Sequence, residues 1–306
     1  MIRRSILILP VNRPKFVEKA YLRGADGVML DLEDAVPPAE KETARGMVKD
    51  SIPLVARGGA EVLVRINKDP SLLPRDVEAS LHPGLDALVL PKTESAEEIH
   101  NVEAQLEELE KARGIERGHV KISVLIETPR GVLNAREIAR ASSRVESMGL
   151  GAEDYRMELG VEPSPDGLEI LFPLAWLVTV CKDAGVSPRG LLGSIAGFRD
   201  LEGFERAATR ARQLGCEGAS CIHPDQVQVL NRVFSPPAEK TEYARRVVEA
   251  FEEGLRQGTA SVNLDGRMVD IPVYERAKRI LERAAAIAQV EERKEKALAR
   301  LKAKGE

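Results

Sequence analysis

Charged side chains recur at the ends of short apolar runs. Asp31 and Glu33 close "GVMLDLE" with Asp34 next, Arg65 and Asn67 close "EVLVRIN", and Lys92 follows "ALVLP". Glu127 ends "KISVLIE", Glu153 and Asp154 end "VESMGLGAED", and His223 sits in "GASCIHP". Carboxylates on adjacent strand ends converge, and two carboxylates with room for water suit Mg2+, which takes six oxygens and commonly only one or two from protein. Glu127 and Asp154 are that pair. The competing role for each acid is an ion pair with a rim arginine or a helix cap. Arg65 offers a planar fork for a substrate carboxylate. A salt bridge from it to Asp31 or Glu33 is compatible with that role. Half of the "LDLEDAV" acids are expected to pair with Lys41 or Arg45 and hold the rim together. Lys92 reads as a rim charge, and His223 as a packing or hydrogen-bonding residue at the barrel mouth.

The runs that carry these residues are 5–10, 27–33, 61–67, 87–93, 121–127, 145–154, 190–196 and 218–224. Most are apolar without strict alternation, the mark of strands covered on both faces. Amphipathic helical segments such as "SAEEIHNVEAQLEELEKARG" lie between them. Eight strands alternating with helices give an α/β fold, a (β/α)8 TIM barrel over residues 1–234, whose C-terminal rim carries function. The glycine-rich phosphate loop of a dinucleotide-binding doubly wound sheet does not follow the first strand. From 235 to 306 the pattern is a C-terminal helical extension. It consists of a helix opened by "SPPAEK" and running to about Gly258, a β excursion with a turn at Asp265-Gly266, and a charged final helix from about Glu275. Barrel closure does not need this extension, so it is free to pack on a neighbouring subunit.

The chain has 306 residues and a formal net charge of -4, with basic residues interleaved among acids. That balance gives no footprint for nucleic acid or anionic membrane. Apolar runs fall short of the roughly 20 residues of a membrane span. Cys181, Cys216 and Cys221 fit neither a disulfide framework nor a zinc motif, and read as buried thiols of a cytoplasmic protein. A serine-hydrolase elbow, G-x-S-x-G, does not occur.

Taken together, "RRSILILP", "RPKFVEKAYLRGADGVMLDLEDAVPPAEKETAR", "VLVRIN", "VLPKTES", "LIETPRGVLNA", "LGAEDY", "IHPDQ" and "LDGRMVDIP" resemble the citrate lyase beta subunit group of the HpcH/HpaI aldolase superfamily. The resemblance runs from Arg3 to about Ala285. It implies Glu127 and Asp154 as Mg2+ ligands, Arg65 as the residue that binds the acid substrate, and Asp270 as a residue reaching the active site of an adjacent subunit in a trimer or hexamer. The first strand departs from the family's usual Pro-Gly ending, with Val11-Asn12 in its place. Arg13 and Lys15 follow and are the candidates for phosphate contacts with coenzyme A. The stretch "SIAGFRDLEGF" departs as well. The resemblance therefore implies a lyase acting on a CoA thioester of malyl or citramalyl type. A malyl-CoA thioesterase, or a citryl-acyl-carrier-protein subunit of a citrate lyase complex, stands as the alternative.

Overall fold

The computed structural model describes residues 2–304. Eight parallel strands form one sheet: β1 (Ser5–Pro10), β2 (Gly27–Asp31), β3 (Glu61–Arg65), β4 (Ala87–Leu90), β5 (Lys121–Ile126), β6 (Val145–Leu150), β7 (Ser187–Arg189) and β8 (Ala219–Cys221). Each strand pairs with its sequence neighbour, β1 also pairs with β8, and a parallel bridge between Arg189 and Gly218 joins the remaining seam. The sheet is thereby a closed (β/α)8 barrel. Its connecting helices are α1 (Pro14–Ala20), α2 (Lys41–Ala56), α3 (Leu73–Ser80), α4 (Ala96–Arg113), α5 (Pro129–Arg140), α6 (Ala152–Leu159), α7 (Leu168–Ala184), α8 (Leu201–Leu214) and α9 (Pro224–Val233).

Strand residues alternate between two apolar clusters. Leu7, Leu9, Val28, Leu30, Val62 and Val64 face the helices in the larger one, while Ile6, Met29, Leu63, Ala87 and Val89 fill the barrel interior with Ile8 and Leu125. Burial on both faces explains the near-continuous apolar runs. Helix starts follow the local chemistry. Ser95 accepts the Glu98 N–H at the start of α4, and Thr128 accepts the Gly131 N–H at the start of α5, where Pro129 supplies a preset φ.

Strand seven lies at Ser187–Arg189, not at the expected 190–196. The "SPR" segment reads as a turn, but its backbone pairs with Ser147–Gly149 of β6. Leu191 and Leu192 then bury their side chains beyond the strand end. Strand six likewise stops at Leu150, so Glu153 and Asp154 stand in the first turn of α6. The three cysteines are buried and unbridged.

The chain divides into two compact units with main bodies Arg3–Phe234 and Ser235–Glu295. The second contains α10 (Ala238–Arg256), the antiparallel pair β9 (Val262–Leu264) and β10 (Arg267–Val269), and most of α11 (Ile271–Ala303). Asp265 and Gly266 both take positive φ, 52° and 77°, as a tight hairpin turn requires. Ala244, Val247, Phe251, Val269 and Ala277 form its core. Among the described residues, no helix is long and apolar enough to cross a membrane.

Gly218 at the closing seam leaves no room for a side chain, because a Cβ there would overlap the Arg3 carbonyl oxygen. Gly218→Ala is expected to destabilise the protein by about 1–3 kcal/mol. Gly46→Ala, inside α2 with open space around it, should be neutral or stabilise by up to about 1 kcal/mol. Urea unfolding of both variants checks the contrast; equal midpoints would remove the steric argument.

Candidate active site

Glu127 is the residue after β5, and it is 3% exposed. Its Oε2 accepts the backbone N–H of Lys92 at 2.7 Å. That N–H is aimed by an unusual backbone, since Lys92 has φ 49° in the left-handed region. A non-glycine residue there is strained, and such strain clusters at functional sites. The other face of the carboxylate meets Gly151, where any Cβ would overlap Oε1. Burial, and then the neighbouring Asp154 charge, push the Glu127 carboxyl up to about 7.

Asp154 projects from the first turn of α6, where the helix dipole favours an anion. The Lys92 ammonium links the strand ends: its Nζ lies 2.8 Å from Glu33 Oε1, 3.2 Å from Asp154 Oδ1 and 3.6 Å from Asp34 Oδ1. Burial opposes the Lys92 charge, but these acids outweigh it and hold its pKa above the usual range.

Arg65 ends β3 and is gripped from one side. Its Nε and Nη2 donate to the two Asp31 oxygens at 2.8 and 2.6 Å, and its Nη1 is 3.1 Å from Glu33 Oε2. Burial works against the Asp31 charge, yet the Arg65 hydrogen bonds and backbone N–H groups of Glu33 and Ala35 hold its pKa low. Burial pushes the Glu33 carboxyl up, and Arg65 and Lys92 only partly offset this.

The rim acids do not pair with Lys41 or Arg45 as expected. Lys41 Nζ donates to the carbonyls of Leu32 and Glu33 and to Asn67 Oδ1. Arg45 pairs with Asp76 and Glu42. The reason is position: both lie on α2, where they stitch loop backbones and helices, while Arg65 and Lys92 rise on strand ends to meet the acids. Lys92 is therefore a partner of four site carboxylates or their neighbours and more than a rim charge. Its left-handed backbone had no sequence signal, whereas Gly151 in "LGAED" is a readable one. Asp31 as the holder of Arg65 is foreseen by the salt-bridge alternative.

Arg65, Glu127, Gly151, Glu153 and Asp154 line one cavity of about 130 Å3, together with Arg189. Glu153 itself points to Arg156, at 3.4 Å. His223 caps α9, its Nδ1 accepting the Asp225 N–H, and stacks on Phe198. Arg13 and Lys15 stand exposed just beyond the C-terminal end of β1, with the Arg13 Nη2 4.0 Å from Glu40. Asp270 belongs to the second unit. There it follows β10, and its Oδ1 accepts the Val273 N–H in the first turn of α11.

The donor set fits a hard divalent cation. Two carboxylates converge, one of them buried with a single backbone hydrogen bond to offset its charge. Among the described residues no three acidic, thiol or imidazole side chains close a cage, so water and substrate oxygens are left to complete a shell, as Mg2+ accepts.

The family described as HpcH/HpaI aldolase/citrate lyase matches residues 4–224. The chain is 37% identical to citrate lyase subunit beta of Haemophilus influenzae over 92% of its own length and 97% of that protein's. It is 32% identical to L-malyl-CoA/beta-methylmalyl-CoA lyase of Rhodobacter capsulatus, covering 94% and 96%. The structure of CitE from Mycobacterium tuberculosis in complex with magnesium, acetoacetate and coenzyme A aligns with a TM-score of 0.70 and 31% identity, over 92% of this chain and 97% of that one.

The Glu127 carboxyl gives a pH signature to the metal-free protein. An acid whose folded pKa lies near 7, above an unfolded value of about 4.3, favours the fold only while protonated. Its contribution to stability is thus fully present below about 4.3 and lost as pH rises through 7. Glu127→Gln should therefore raise metal-free stability at pH 8 by up to about 3 kcal/mol and leave it nearly unchanged at pH 4.5. Chemical unfolding at both pH values in chelator measures this, and equal shifts at the two would contradict it.

Proposed function

The chain belongs to the HpcH/HpaI aldolase/citrate lyase family, and we propose that it is a Mg2+-dependent carbon–carbon lyase. It cleaves a β-hydroxyacyl-CoA thioester into acetyl-CoA and a 2-oxo acid. Malyl- and citramalyl-CoA, with hydrogen or methyl on the hydroxyl-bearing carbon, are the first substrates to offer. The observation that carries the reading is the buried Glu127 carboxyl beside Asp154, both lining a cavity with Arg65.

Glu127 and Asp154 would hold the cation. When bound, Mg2+ supplies Lewis-acid polarisation of the oxygen that becomes the carbonyl, and a template for the adjoining carboxylate. In the cleavage the hydroxyl loses its proton, the bond between the hydroxyl carbon and the methylene breaks, and its electron pair passes to the thioester as an enolate. The hydroxyl proton passes to solvent water, and a proton then reaches the methylene carbon from a donor that solvent reprotonates, so protons balance. Arg65 supplies fixed positive charge beside the developing oxyanion, and Asp31 holds the guanidinium in one orientation so that little reorganisation is required. Lys92 holds Glu33 and Asp154 in place and, through its backbone N–H, orients Glu127.

Asp270 from a second copy of the chain is the proposed proton donor to the methylene carbon. In its own unit it is partly buried beside the exposed apolar side chains of Met268 and Ile271, a surface suited to an interface. A trimer or hexamer would bring it to a neighbour's cavity. Arg13 and Lys15, exposed at the C-terminal end of β1, are proposed to meet the phosphates of coenzyme A.

Racemic malyl- and citramalyl-CoA are offered with Mg2+ and with chelator, following glyoxylate, pyruvate and free CoA together. Carbonyl product that chelator stops is the expected result. Free CoA without either carbonyl would instead identify a thioesterase, and inactivity on both would point to a carrier-protein substrate. Glu127→Gln and Asp154→Asn are expected to lose metal binding and at least about 10³-fold in turnover. Asp270→Asn should lose turnover while titrating magnesium normally. Mixing inactive Asp270→Asn with inactive Glu127→Gln subunits should restore activity through hybrid sites; mixtures that stay inactive would place Asp270 outside a shared site.

A further inference from the structure

Lys68 has no part in the cleavage as proposed. It follows Asn67 in the loop between β3 and α3, yet its ammonium crosses the exit of β4. Its Nζ donates to the Lys92 carbonyl and to Glu94 Oε2 at 3.2 Å, and lies 3.4 Å from Glu98 Oε1. An ammonium has three N–H donors, and here three acceptors from the β4–α4 segment surround it. The side chain is 35% exposed. It lines an open cavity of about 460 Å3 between α3 and α4, with Leu73, Leu90 and Val102. Removing the ammonium therefore opens no void in the core.

Two routes run from Lys68 to Glu127. The first passes through the Lys92 backbone. The Lys92–Thr93 peptide is held at one edge by the Thr93 N–H, which donates to the Leu125 carbonyl at 3.1 Å, and at the other by Lys68. One hydrogen bond leaves a peptide plane free to rock, whereas bonds at both edges fix it. That plane sets the left-handed turn at Lys92, φ 49°, which aims the Lys92 N–H at Glu127 Oε2. A non-glycine residue stays in this region only where its surroundings over-determine it. The second route passes through Glu94. Its Oε1 accepts the Thr128 hydroxyl at 2.8 Å, and its carbonyl accepts an N–H of Asn134 at 2.8 Å. Thr128 is the residue after Glu127, so the strand exit is tied down beyond the carboxylate as well.

We infer that Lys68 is a positioning residue for the metal site: by pinning the Lys92 carbonyl and Glu94, it holds the Glu127 carboxylate in the orientation that receives the cation. It rests on the reading of Glu127 as a metal ligand. Charge alone gives the opposite sign. Lys68 is a cation near an acidic rim, and its removal should by Coulomb attraction tighten the hold on a divalent ion. Loss of orientation weakens that hold, as removal of groups that orient metal ligands does, by about 10–100-fold. Partly exposed ion pairs contribute little to the fold, so the effect falls on the metal and not on stability.

Mg2+ is titrated calorimetrically into the metal-free, full-length protein. Lys68→Met, of similar length but without donors, is expected to raise the Mg2+ Kd by at least about 10-fold with an unchanged urea midpoint. Hydrogen exchange in the metal-free variant should be faster in the segment that contains the Lys92 N–H. Lys68→Arg, which keeps the donors, should recover part of the affinity. Glycine takes positive φ freely, so Lys92→Gly no longer needs the clamp. In that background most of the Lys68→Met effect should disappear. Equal or tighter Mg2+ binding by Lys68→Met would overturn the inference, as would an undiminished effect in the Lys92→Gly background. A wild type that binds no Mg2+ would instead remove the metal reading. Exchange at Lys92 then decides whether Lys68 fixes the junction, and unchanged protection in Lys68→Met would sink it. Lys68→Gln supplies the same comparison should Lys68→Met fail to fold.

Discussion

The rim carries more negative charge than the protein neutralises. Asp31, Glu33, Asp34, Glu127 and Asp154 gather around two cations that reach them, Arg65 and Lys92. Burial first, and the neighbouring acid charges after it, raise the Glu127 and Glu33 carboxyls, so keeping these groups charged together costs free energy. A fold built for stability alone would spread these acids out. Here strand register fixes Asp31 beside Arg65, and Gly151 lets the Glu127 carboxylate pass close to the neighbouring strand's exit. The excess is a standing attraction for a small divalent cation.

Around that excess, each polar group holds another. Asp31 orients Arg65, and Lys92 bridges the exits of β2, β4 and β6. Lys41 ties the β2 loop to Asn67 after β3, and Asn67 in turn donates to Asp76. The Thr128 hydroxyl donates to Glu94, and Asn134 donates to the Glu94 carbonyl, so the exits of β4 and β5 are joined as well. Charges in such a lattice keep their orientation without solvent rearrangement, the condition under which electrostatic catalysis is strong. The left-handed Lys92 backbone is tolerated because its N–H is engaged by Glu127 and its Nζ by Glu33 and Asp154.

Much of this was legible in the sequence because strands buried on both faces show as apolar runs, and a charged residue after such a run stands out. Glu127 and Arg65, which line one cavity, were singled out in this way, and the hairpin turn at Asp265-Gly266 from its residue types. Strand seven was missed because "SPR" is polar and carries a proline, and its identity depends on pairing with β6, a long-range contact without a local pattern. Leu191 and Leu192, the apolar pair that attracted the assignment, are buried after the strand has ended. The partners of Lys41 and Arg45 were misjudged for a related reason: sequence proximity to the acids does not say on which face of α2 a side chain rises. Arg189 lies one residue before the expected run, at the end of the observed strand.

The seam that closes the barrel has a consequence for synthesis. β1 pairs with β8, and Arg189 meets both the Arg3 carbonyl and Gly218, so groups at the two ends of the barrel sequence depend on each other. Contacts of such sequence separation form late, after the entropy of closing a long loop has been overcome. As the chain leaves the ribosome, the helices and the β1–β6 ladder can assemble in order. The cavity floor has no shape until residues near 219 have emerged. The nascent protein therefore passes through a state with its rim acids displayed and its barrel open, and acquires a bounded cavity only in the final stage of barrel folding.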